Sequence, residues 1–441
     1  MLQLQTMARE TLMFVGPYPL GEPGGVASVV NKSRPYFEKR FDVFTAGPTR
    51  RGRQNPANVA TGEVLFDVTF RGTRIPVAYV YPGVVREAIF RYKPAVVLID
   101  EPALAISDLR QIPTRSDRKL ISATFGRHHA QDENEDGFQT QALEYLSRPL
   151  RRDMRKLAGR LAVSHSTERT VSRYFPGDPI KVIPNGVDTT QFKPEGPHIE
   201  EWEKDGKKTF LFVGRIEEKK GVEYLIRAFA KVFADRKDIQ LKIAGPGDTE
   251  KLRELVQDFG LPQDSVSFLG AISDGDLKKA YRTATASVFP STRGEGFGIV
   301  ILEALASGSL VIASNINGYD EATEGGKEYA LLAKPADPDD LARVMIEVLE
   351  YPDRKRDQLK IDARAHAVRY DLETIVGLTC DYLETGLAAY GISSEEEWKR
   401  TEQRVREQAR QTTIFEAGAV ATVSLAAAGV IYIARSKLRK K

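Results

Sequence analysis

Cysteine and histidine are scarce in this sequence. Its 441 residues include one cysteine, Cys380, and five histidines, of which His128 and His129 are adjacent. A single cysteine excludes a disulfide framework, and there is no cysteine cluster that could hold a structural metal. Five histidines also leave little room for a histidine-rich metal site. The sequence therefore predicts no metal site.

The sequence also lacks a strong excess of charge of either sign. It has 64 basic and 61 acidic side chains and a formal net charge of +3, which gives no general electrostatic reason to expect nucleic acid as a partner. The N-terminal residues lack a basic region followed by a long apolar run, so no signal peptide is predicted. We expect the body of the protein to stay in the cytoplasm.

Short apolar runs bounded by turn residues recur in the first half of the chain. Such runs are typical of buried parallel strands, and the amphipathic stretches between them indicate helices. The predicted strands are Thr11–Gly16, Asp42–Ala46, Val96–Asp100, Leu120–Phe125 and 159–163, and the predicted helices are Val26–Tyr36 and Gly83–Tyr92. This alternation predicts an α/β, Rossmann-like domain over residues 1–193.

A polar linker, 194–208, is predicted to separate this domain from a second Rossmann-like domain over residues 209–370. The predicted elements of the second domain are a strand from Thr209 and strands at Gln240–Ala244, 266–269, Ala286–Phe289 and Leu310–Ala313, with helices at Glu223–Ala234, Thr249–Phe259, Asp274–Arg282, Ile299–Ala306 and 338–350. A further helix is predicted over 371–392. The highly charged residues 393–413 predict a linker or a solvated helix.

Two adjacent glycines, Gly24 and Gly25, stand where the first strand turns into the first helix. Glycine lets the backbone approach a ligand closely, and a helix N-terminus offers free N–H groups to phosphate. The spacing is not the GxGxxG pattern of NAD-binding proteins. Taken alone, the signal is weak, and the favoured interpretation is that the glycines only form a turn.

A basic pair opens the second domain. Arg215 follows the end of the strand from Thr209, and Lys220 precedes Gly221 and a helix. Arginine can hold two phosphate oxygens and lysine adds a point charge, so the pair suits a diphosphate between the domains. The alternative is ordinary surface charge, which we adopt for Lys219.

Two acids lie eight residues apart in the second domain. Glu295 stands in a turn with Gly296, Phe297 and Gly298, and Glu303 lies in the helix that follows. Carboxylates in a cleft beyond the strand ends can accept hydrogen bonds from the vicinal hydroxyls of a sugar. The alternative for Glu303 is a solvated helix face, which is weakened because the rest of that helix is apolar.

These motifs together resemble a large family of retaining GT-B glycosyltransferases, glycosyltransferase family 4 or group 1. The resemblance covers roughly residues 11–390 and is closest to the phosphatidylinositol mannosyltransferases. The family resemblance rests on the Glu-x7-Glu pattern of Glu295 and Glu303, on Gly-Arg…Lys-Gly at 214–221 and on the sequence of residues 183–188. The likeness to the mannosyltransferases rests on the sequences of residues 23–26, 123–125, 148–149, 159–164 and 297–300.

The resemblance implies a hexosyltransferase whose substrate is a GDP- or UDP-linked sugar and which needs no obligatory cofactor. It implies that Arg215 and Lys220 bind the donor diphosphate, that Glu303 holds the ribose and that Glu295 contacts the transferred sugar. Gly24 and Gly25 would face the diphosphate from an acceptor-side first domain. Donor contacts are also implied for the turn residues Gly296, Phe297 and Gly298. The helix after residue 371 would cross back onto the first domain.

One position departs from the family pattern. The family commonly places a histidine that contacts the donor sugar just after the Thr-Phe strand end, where this chain has Gly126. His128 or His129 could occupy the same space, and we favour His128 as the catalytic histidine. The alternative is that both are histidines of a loop.

A retaining transfer of this kind implies front-face attack, in which the leaving phosphate oxygen takes the acceptor proton. The protein then holds geometry and stabilises the charge of the leaving group. Two other functions stay open at this point. One is a nucleotide-sugar epimerase, which the acidic motif disfavours, and the other is a GT-B pseudoenzyme that serves as a membrane scaffold.

The end of the chain has a different composition. Residues 414–434 are predicted as a single transmembrane helix, and 435–441 as a basic tail. This anchor would place the protein at the cell membrane with cytoplasmic catalytic domains, beside a lipid or lipid-linked acceptor. The alternatives are an amphipathic surface helix or a homodimer that packs through Gly418, Thr422 and Ala426.

Overall fold

The computed structural model describes residues 9–16, 25–50, 59–70, 73–81, 83–100, 106–129, 151–177 and 179–411. They form two α/β domains, each built on its own sheet. Within these residues no helix has the length and apolarity needed to cross a bilayer. The predicted transmembrane segment, 414–434, lies outside the described residues.

The N-terminal domain contains an eight-stranded sheet in the order β4-β3-β2-β1-β5-β6-β7-β8, parallel except for the β3–β4 pair. Its strands are β1 Thr11–Val15, β2 Asp42–Arg50, β3 Val59–Phe70, β4 Thr73–Val80, β5 Val96–Asp100, β6 Ala123–His128, β7 Gly159–Ala162 and β8 Ile180–Val182. Its helices are α1 Gly25–Phe37, α2 Val84–Tyr92, α3 Ile106–Gln111 and α4 His165–Tyr174. The central strand β5 is buried throughout.

Two features of this sheet differ from the sequence prediction. The strand predicted at Leu120–Phe125 begins at Ala123, which pairs with Val96, and continues to His128. The pair β3 and β4 was not predicted, because Gly62, Glu63 and Asp67 interrupt the apolar residues of β3 and Pro76 stands inside β4. Proline within a run of residues argues against a strand, except at the edge of a sheet, where β4 lies.

The C-terminal domain contains a six-stranded parallel sheet in the order β11-β10-β9-β12-β13-β14. Its elements are α5 Glu200–Glu203, β9 Lys208–Val213, α6 Val222–Asp235, β10 Ile239–Ala244, α7 Glu250–Asp258, β11 Val266–Gly270, α8 Asp274–Thr283, β12 Ala286–Phe289, α9 Ile299–Ala306, β13 Leu310–Ser314, α10 Asn317–Thr323, β14 Ala330–Ala333, α11 Pro338–Glu350 and α12 Asp353–Val368. The strand order reverses between β9 and β12. In such sheets ligands bind at this reversal, beyond the carboxyl ends of the strands.

Two C-terminal helices, α13 Leu372–Tyr390 and α14 Glu395–Gln411, return to the N-terminal domain. Cys380 and Leu383 of α13 share a buried cluster with Phe125 of β6. The predicted solvated segment 393–413 is therefore only partly solvated, because Trp398 of α14 is buried in the core of the N-terminal domain. Burying a large aromatic ring favours this docked position over an extended linker.

The connection between the domains is fastened at one point by Arg364 of α12. Its guanidinium donates to the carbonyl oxygens of Thr189 at 2.7 Å, Phe192 at 2.6 Å and Ala306 at 3.0 Å. The first two lie just before the linker 194–208, and the third ends α9. Arg364 therefore holds the chain next to the interdomain linker against the end of the helix that carries Glu303.

Candidate active site

The loops after β9 and β12 flank the reversal of strand order and are locked together. Gly221 has φ 67°, and a Cβ there would lie 2.0 Å from the carbonyl oxygen of Pro290, so only glycine fits. The N–H of Thr292 donates to the carbonyl oxygen of Lys219 at 2.8 Å. These contacts bring the basic segment from Arg215 against the acidic turn that carries Glu295.

Lys220 and Glu295 form an ion pair at this junction. The two side chains are 18% and 12% exposed, and Ser291 Oγ donates to the same Glu295 Oε1 at 3.2 Å. An ion pair that is largely withdrawn from water needs further hydrogen bonds to offset desolvation, and Ser291 supplies one. The structure thus brings together the two residues that the sequence assigned to the diphosphate and to the sugar.

Arg215 lies beside this pair and is more open. Its Nη1 contacts Glu217 at 2.9 Å, and its side chain is 42% exposed. A guanidinium with this exposure is accessible to a ligand in the cleft.

Lys219 contradicts the expectation of a solvated surface charge. It is 7% exposed, and burial lowers its pKa even though Glu295 lies close by and acts in the opposite direction. The sequence prediction was wrong because Lys219 stands in a run of charged residues, and such a run gives no indication of which side chain is buried.

Glu303 lies in α9 and is 6% exposed, which excludes a solvated helix face. Its Oε1 accepts from Lys32 Nζ at 2.9 Å, and its Oε2 lies 3.4 Å from the hydroxyl of Tyr281. Lys32 belongs to α1 of the N-terminal domain, so this contact crosses the cleft. Burial by itself lowers the pKa of Lys32, but Glu303 outweighs it and the pKa is raised.

The turn between the two acids is only partly available to a ligand. Phe297 is 4% exposed and packs with its ring centroid 5.8 Å from that of Tyr370. Gly298 has φ 97° at the start of α9, and Gly296 lies between Glu295 and Phe297. On the opposite side, Gly25 begins α1. Gly24 lies outside the described residues.

His128 occupies the carboxyl end of β6 rather than a loop, so the loop alternative is wrong for it. Gly126 lies inside the strand, paired with Ile99 and Arg160. His128 is 2% exposed, and its Nε2 has no hydrogen-bond partner among the residues that the structure describes. Burial, followed by Arg160, lowers its pKa to about 3. The imidazole is therefore neutral near pH 7.

His129 is held by Asp100 of the adjacent strand. Its Nε2 lies 3.2 Å from Asp100 Oδ1, which also accepts from Arg127 Nε at 2.6 Å. Burial tends to raise the pKa of Asp100, but Arg127 and His129 lower it. Of the two histidines, His128 is the one whose ring retains an unsatisfied nitrogen in the described part of the chain.

The sequence prediction missed α10, which contacts the other domain. The Glu321 carboxylate accepts from the backbone N–H of His165 at 2.6 Å and of Ser166 at 2.7 Å. These two N–H groups lie in the first turn of α4, where backbone N–H groups have no partner within the helix and where negative charge is favourable. The only sequence sign is Asn317-Gly-Tyr-Asp-Glu after a strand, which by itself predicts a turn.

The structure contains no group of three or more potential metal ligands in the residues that it describes. The charges at the strand reversal are instead those of the basic segment Arg215–Lys220 and the acids Glu295 and Glu303. Fixed cations of this kind can stabilise the charge of a leaving diphosphate.

Two Rossmann-like domains that meet across a cleft, with a C-terminal helix returning to the first domain, define the GT-B class of glycosyltransferases. The chain matches the family model for glycosyl transferases group 1 over residues 197–366 and that for glycosyltransferase family 4 over residues 23–191. The chain belongs to the family 4 (group 1) glycosyltransferases and is a glycosyltransferase.

The chain is similar to phosphatidyl-myo-inositol mannosyltransferases. It is 28% identical to that of Mycolicibacterium smegmatis over 365 residues, which cover 82% of this chain and 90% of the relative. It is 34% identical to that of Mycobacterium tuberculosis over 236 residues, which cover 52% and 60%. Among solved structures, Anabaena HepE in complex with UDP and glucose shares the fold, with a TM-score of 0.67 and 18% identity over 86% of this chain and 100% of HepE.

Proposed function

We propose that this glycosyltransferase transfers a hexose, with retention of configuration, from a GDP- or UDP-linked donor to a hydroxyl of a membrane lipid or lipid-linked glycan. The observation that supports this most is the Lys220–Glu295 ion pair at the strand reversal, with Arg215 accessible beside it. A diphosphate entering there would find two cations, and its sugar would find an acid.

The charges suggest separate tasks for the two sides of the pair. Arg215 and Lys220 would bind the donor diphosphate and stabilise the charge that develops on the leaving phosphate. Glu295 would accept hydrogen bonds from the transferred sugar once Lys220 turns to the diphosphate. Donor binding would therefore exchange the Lys220–Glu295 pair for contacts of each side chain with the donor.

Glu303 would hold the ribose, and the N-terminal domain would complete the site. The ribose hydroxyls would compete with Lys32 for the Glu303 carboxylate, since Lys32 occupies one of its oxygens. Gly24 and Gly25 would bring the backbone at the start of α1 to the diphosphate. Donor contacts would also come from the turn Gly296–Gly298, chiefly through backbone, since Phe297 is buried.

His128 would contact the donor sugar from the N-terminal domain. A neutral imidazole with an unsatisfied nitrogen can donate or accept one hydrogen bond to a sugar hydroxyl or ring substituent. The reaction itself would follow front-face attack. The acceptor hydroxyl bonds to the anomeric carbon, the bond to the diphosphate breaks, and the leaving phosphate oxygen takes the proton.

A lipid acceptor and a membrane location are suggested by the similar phosphatidyl-myo-inositol mannosyltransferases, because phosphatidyl-myo-inositol is a membrane lipid. The uncharged run 417–434 fits that proposal as part of a C-terminal anchor. Helix α14, which packs on the N-terminal domain through Trp398, ends at Gln411, shortly before that run in the sequence.

Release of nucleoside diphosphate from GDP- and UDP-linked sugars, with and without membrane lipid extract, tests this proposal. We expect one donor to be consumed only with the extract, and the glycolipid to keep the anomeric configuration of the donor by NMR. Inversion at the anomeric carbon would reject retention. Conversion of donor to an isomeric nucleotide sugar would indicate an epimerase, and donor binding without turnover in either condition would indicate a pseudoenzyme.

A further inference from the structure

Helix α10 supports the turn that carries Glu295 through its backbone. A Cβ on Gly318 would lie 2.2 Å from the carbonyl oxygen of Glu295, and a Cβ on Gly298 would lie 2.7 Å from the ring of Tyr319. Two glycines therefore allow the start of α10 and the ring of Tyr319 to pack directly against the two ends of the turn. This packing fixes the backbone but does not by itself orient the Glu295 carboxylate.

A chain of hydroxyl groups reaches the carboxylate from the same helix. The Tyr319 hydroxyl lies 2.9 Å from Ser291 Oγ, which lies 3.2 Å from Glu295 Oε1. Tyr319 and Ser291 are both 1% exposed. Buried hydroxyls of this kind are costly unless their hydrogen-bonding groups are satisfied, so the chain is tightly specified.

The direction of the chain follows from counting protons. Ser291 has one hydroxyl proton, and a carboxylate can only accept, so Ser291 donates to Glu295. The Tyr319 hydroxyl must then donate to Ser291 Oγ. It remains protonated, because burial and the nearby Glu295 raise the pKa of Tyr319 well above its ordinary value.

We propose that Tyr319 is a positioning residue for Glu295, acting through Ser291. When Lys220 moves to the donor diphosphate, Glu295 loses one partner, and the Ser291 bond is what keeps its carboxylate aimed at the transferred sugar. Tyr319 keeps that hydroxyl from rotating away. This inference rests on the role proposed for Glu295, and it concerns turnover rather than nucleotide binding.

The test is a double-mutant cycle of Tyr319→Phe and Ser291→Ala, with steady-state kinetics on the donor and lipid extract. Phenylalanine keeps the ring that packs on Gly298 and removes only the Tyr319 hydroxyl that donates to Ser291. We expect Tyr319→Phe to lower kcat about tenfold, the usual size for one buried hydrogen bond, with the dissociation constant of the nucleoside diphosphate unchanged. In the Ser291→Ala background the same change should have almost no effect.

Tyr351→Phe is the matched control. Tyr351 is also buried, and its hydroxyl contacts the carboxylate of Glu347 at 3.2 Å in the same domain, with neither residue in the proposed site. We expect its kcat to match the wild type. Full additivity of Tyr319→Phe with Ser291→Ala, or an equal loss of kcat in the control, would overturn the positioning role.

A crystal structure of Tyr319→Phe with nucleoside diphosphate bound, so that Lys220 has moved to the diphosphate, gives a second measurement that does not depend on activity. We expect the Ser291 hydroxyl to leave Glu295 and the carboxylate to adopt more than one orientation, with the α10 backbone unchanged. An unaltered Glu295 carboxylate would overturn the inference while leaving the proposed transferase function intact. Absence of transfer by the wild type would reject that function instead, and the structure would still decide whether Tyr319 orients Glu295.

Discussion

The two sides of the cleft hold their functional groups in different ways. In the C-terminal domain, Lys220 and Glu295 satisfy each other within one domain. In the N-terminal domain, Lys32 is paired with Glu303 of the other domain, and His128 is neutral, with no hydrogen-bond partner for its Nε2 among the described residues. The C-terminal side is therefore organised without its neighbour, whereas part of the N-terminal side is organised only when the domains are together.

This difference separates binding from transfer. The donor groups proposed for the C-terminal domain, Arg215, Lys220, Glu295 and Glu303, could bind a charged donor without the other domain. In the proposed mechanism, transfer also uses groups from the N-terminal domain. We expect changes on the C-terminal side to give large losses, and changes at the bridge or the N-terminal side to give smaller ones.

The largest effect is expected for Lys220→Ala. The change removes a fixed cation from the diphosphate and leaves the largely buried Glu295 without its ionic partner, so transfer should fall by at least about a hundredfold. Steady-state kcat/KM for nucleoside diphosphate release measures it. Lys231→Ala, which removes an exposed surface pair with Asp339, should leave kcat/KM unchanged. Near-normal turnover in folded Lys220→Ala would remove Lys220 from the site.

The next prediction separates the two acids. Glu295→Gln should reduce turnover by more than it reduces nucleotide affinity, because Glu295 is assigned to the transferred sugar. Glu303→Gln should mainly weaken binding of the nucleoside diphosphate, because Glu303 is assigned to the ribose. Calorimetric titration with the nucleoside diphosphate, beside kcat, distinguishes them. Equal loss of affinity in both variants contradicts the assignment.

A smaller effect is expected at the bridge between the domains. Lys32→Met keeps much of the side-chain length but removes the charge that meets Glu303, so the donor-free protein should populate open arrangements more. Small-angle scattering should show a larger radius of gyration than for the wild type, and less difference once donor is bound. Lys39→Met, two residues after the end of α1, removes a pair with Glu373 in which both side chains are exposed, and it should leave the radius unchanged. Identical scattering from Lys32→Met and the wild type would show that this pair does not hold the domains together.

The smallest effect concerns His128 and pH. The pKa of His128 in the folded protein, about 3, lies below its ordinary value of 6.5. Between these two pH values the unfolded chain binds a proton at His128 that the folded protein does not bind. The associated stability is present above pH 6.5 and is lost as pH falls towards 3, at about 1.4 kcal/mol per pH unit. Urea unfolding of His128→Asn between pH 6.5 and 4.5 should show a shallower loss than the wild type.

The exposed His165, 67% accessible at its side chain, provides the control for this measurement. His165→Asn should follow the pH dependence of the wild type. If His128→Asn and the wild type lose stability in parallel, the pKa of His128 is not lowered on folding, which contradicts a buried imidazole that stays neutral in acid.

Much of the fold could be predicted because its strands are continuous apolar runs. β5 and β13 are buried at every residue, and their almost wholly apolar sequences show that they are covered on both faces. The loops after β9 and β12 could be assigned to a ligand because Arg215 and Glu295 follow strand ends. These signals are local, and periodicity together with turn residues is enough to read them.

The rest depends on contacts between distant residues. Lys32 and Glu303 are 271 positions apart, and nothing in the sequence around either residue indicates that the other lies beside it. The burial of Lys219 and the hydroxyl chain from Tyr319 likewise arise only when two loops pack on each other. A polar side chain in a charged or turn-rich stretch looks the same in sequence whether it is solvated or buried.

A crystal structure of the full chain with its nucleoside diphosphate tests the central claim most directly. We predict that the β-phosphate contacts Arg215 and Lys220, that Lys220 has left Glu295, and that the ribose hydroxyls lie on Glu303. A nucleotide bound elsewhere, with the Lys220–Glu295 and Lys32–Glu303 pairs both intact, would contradict it.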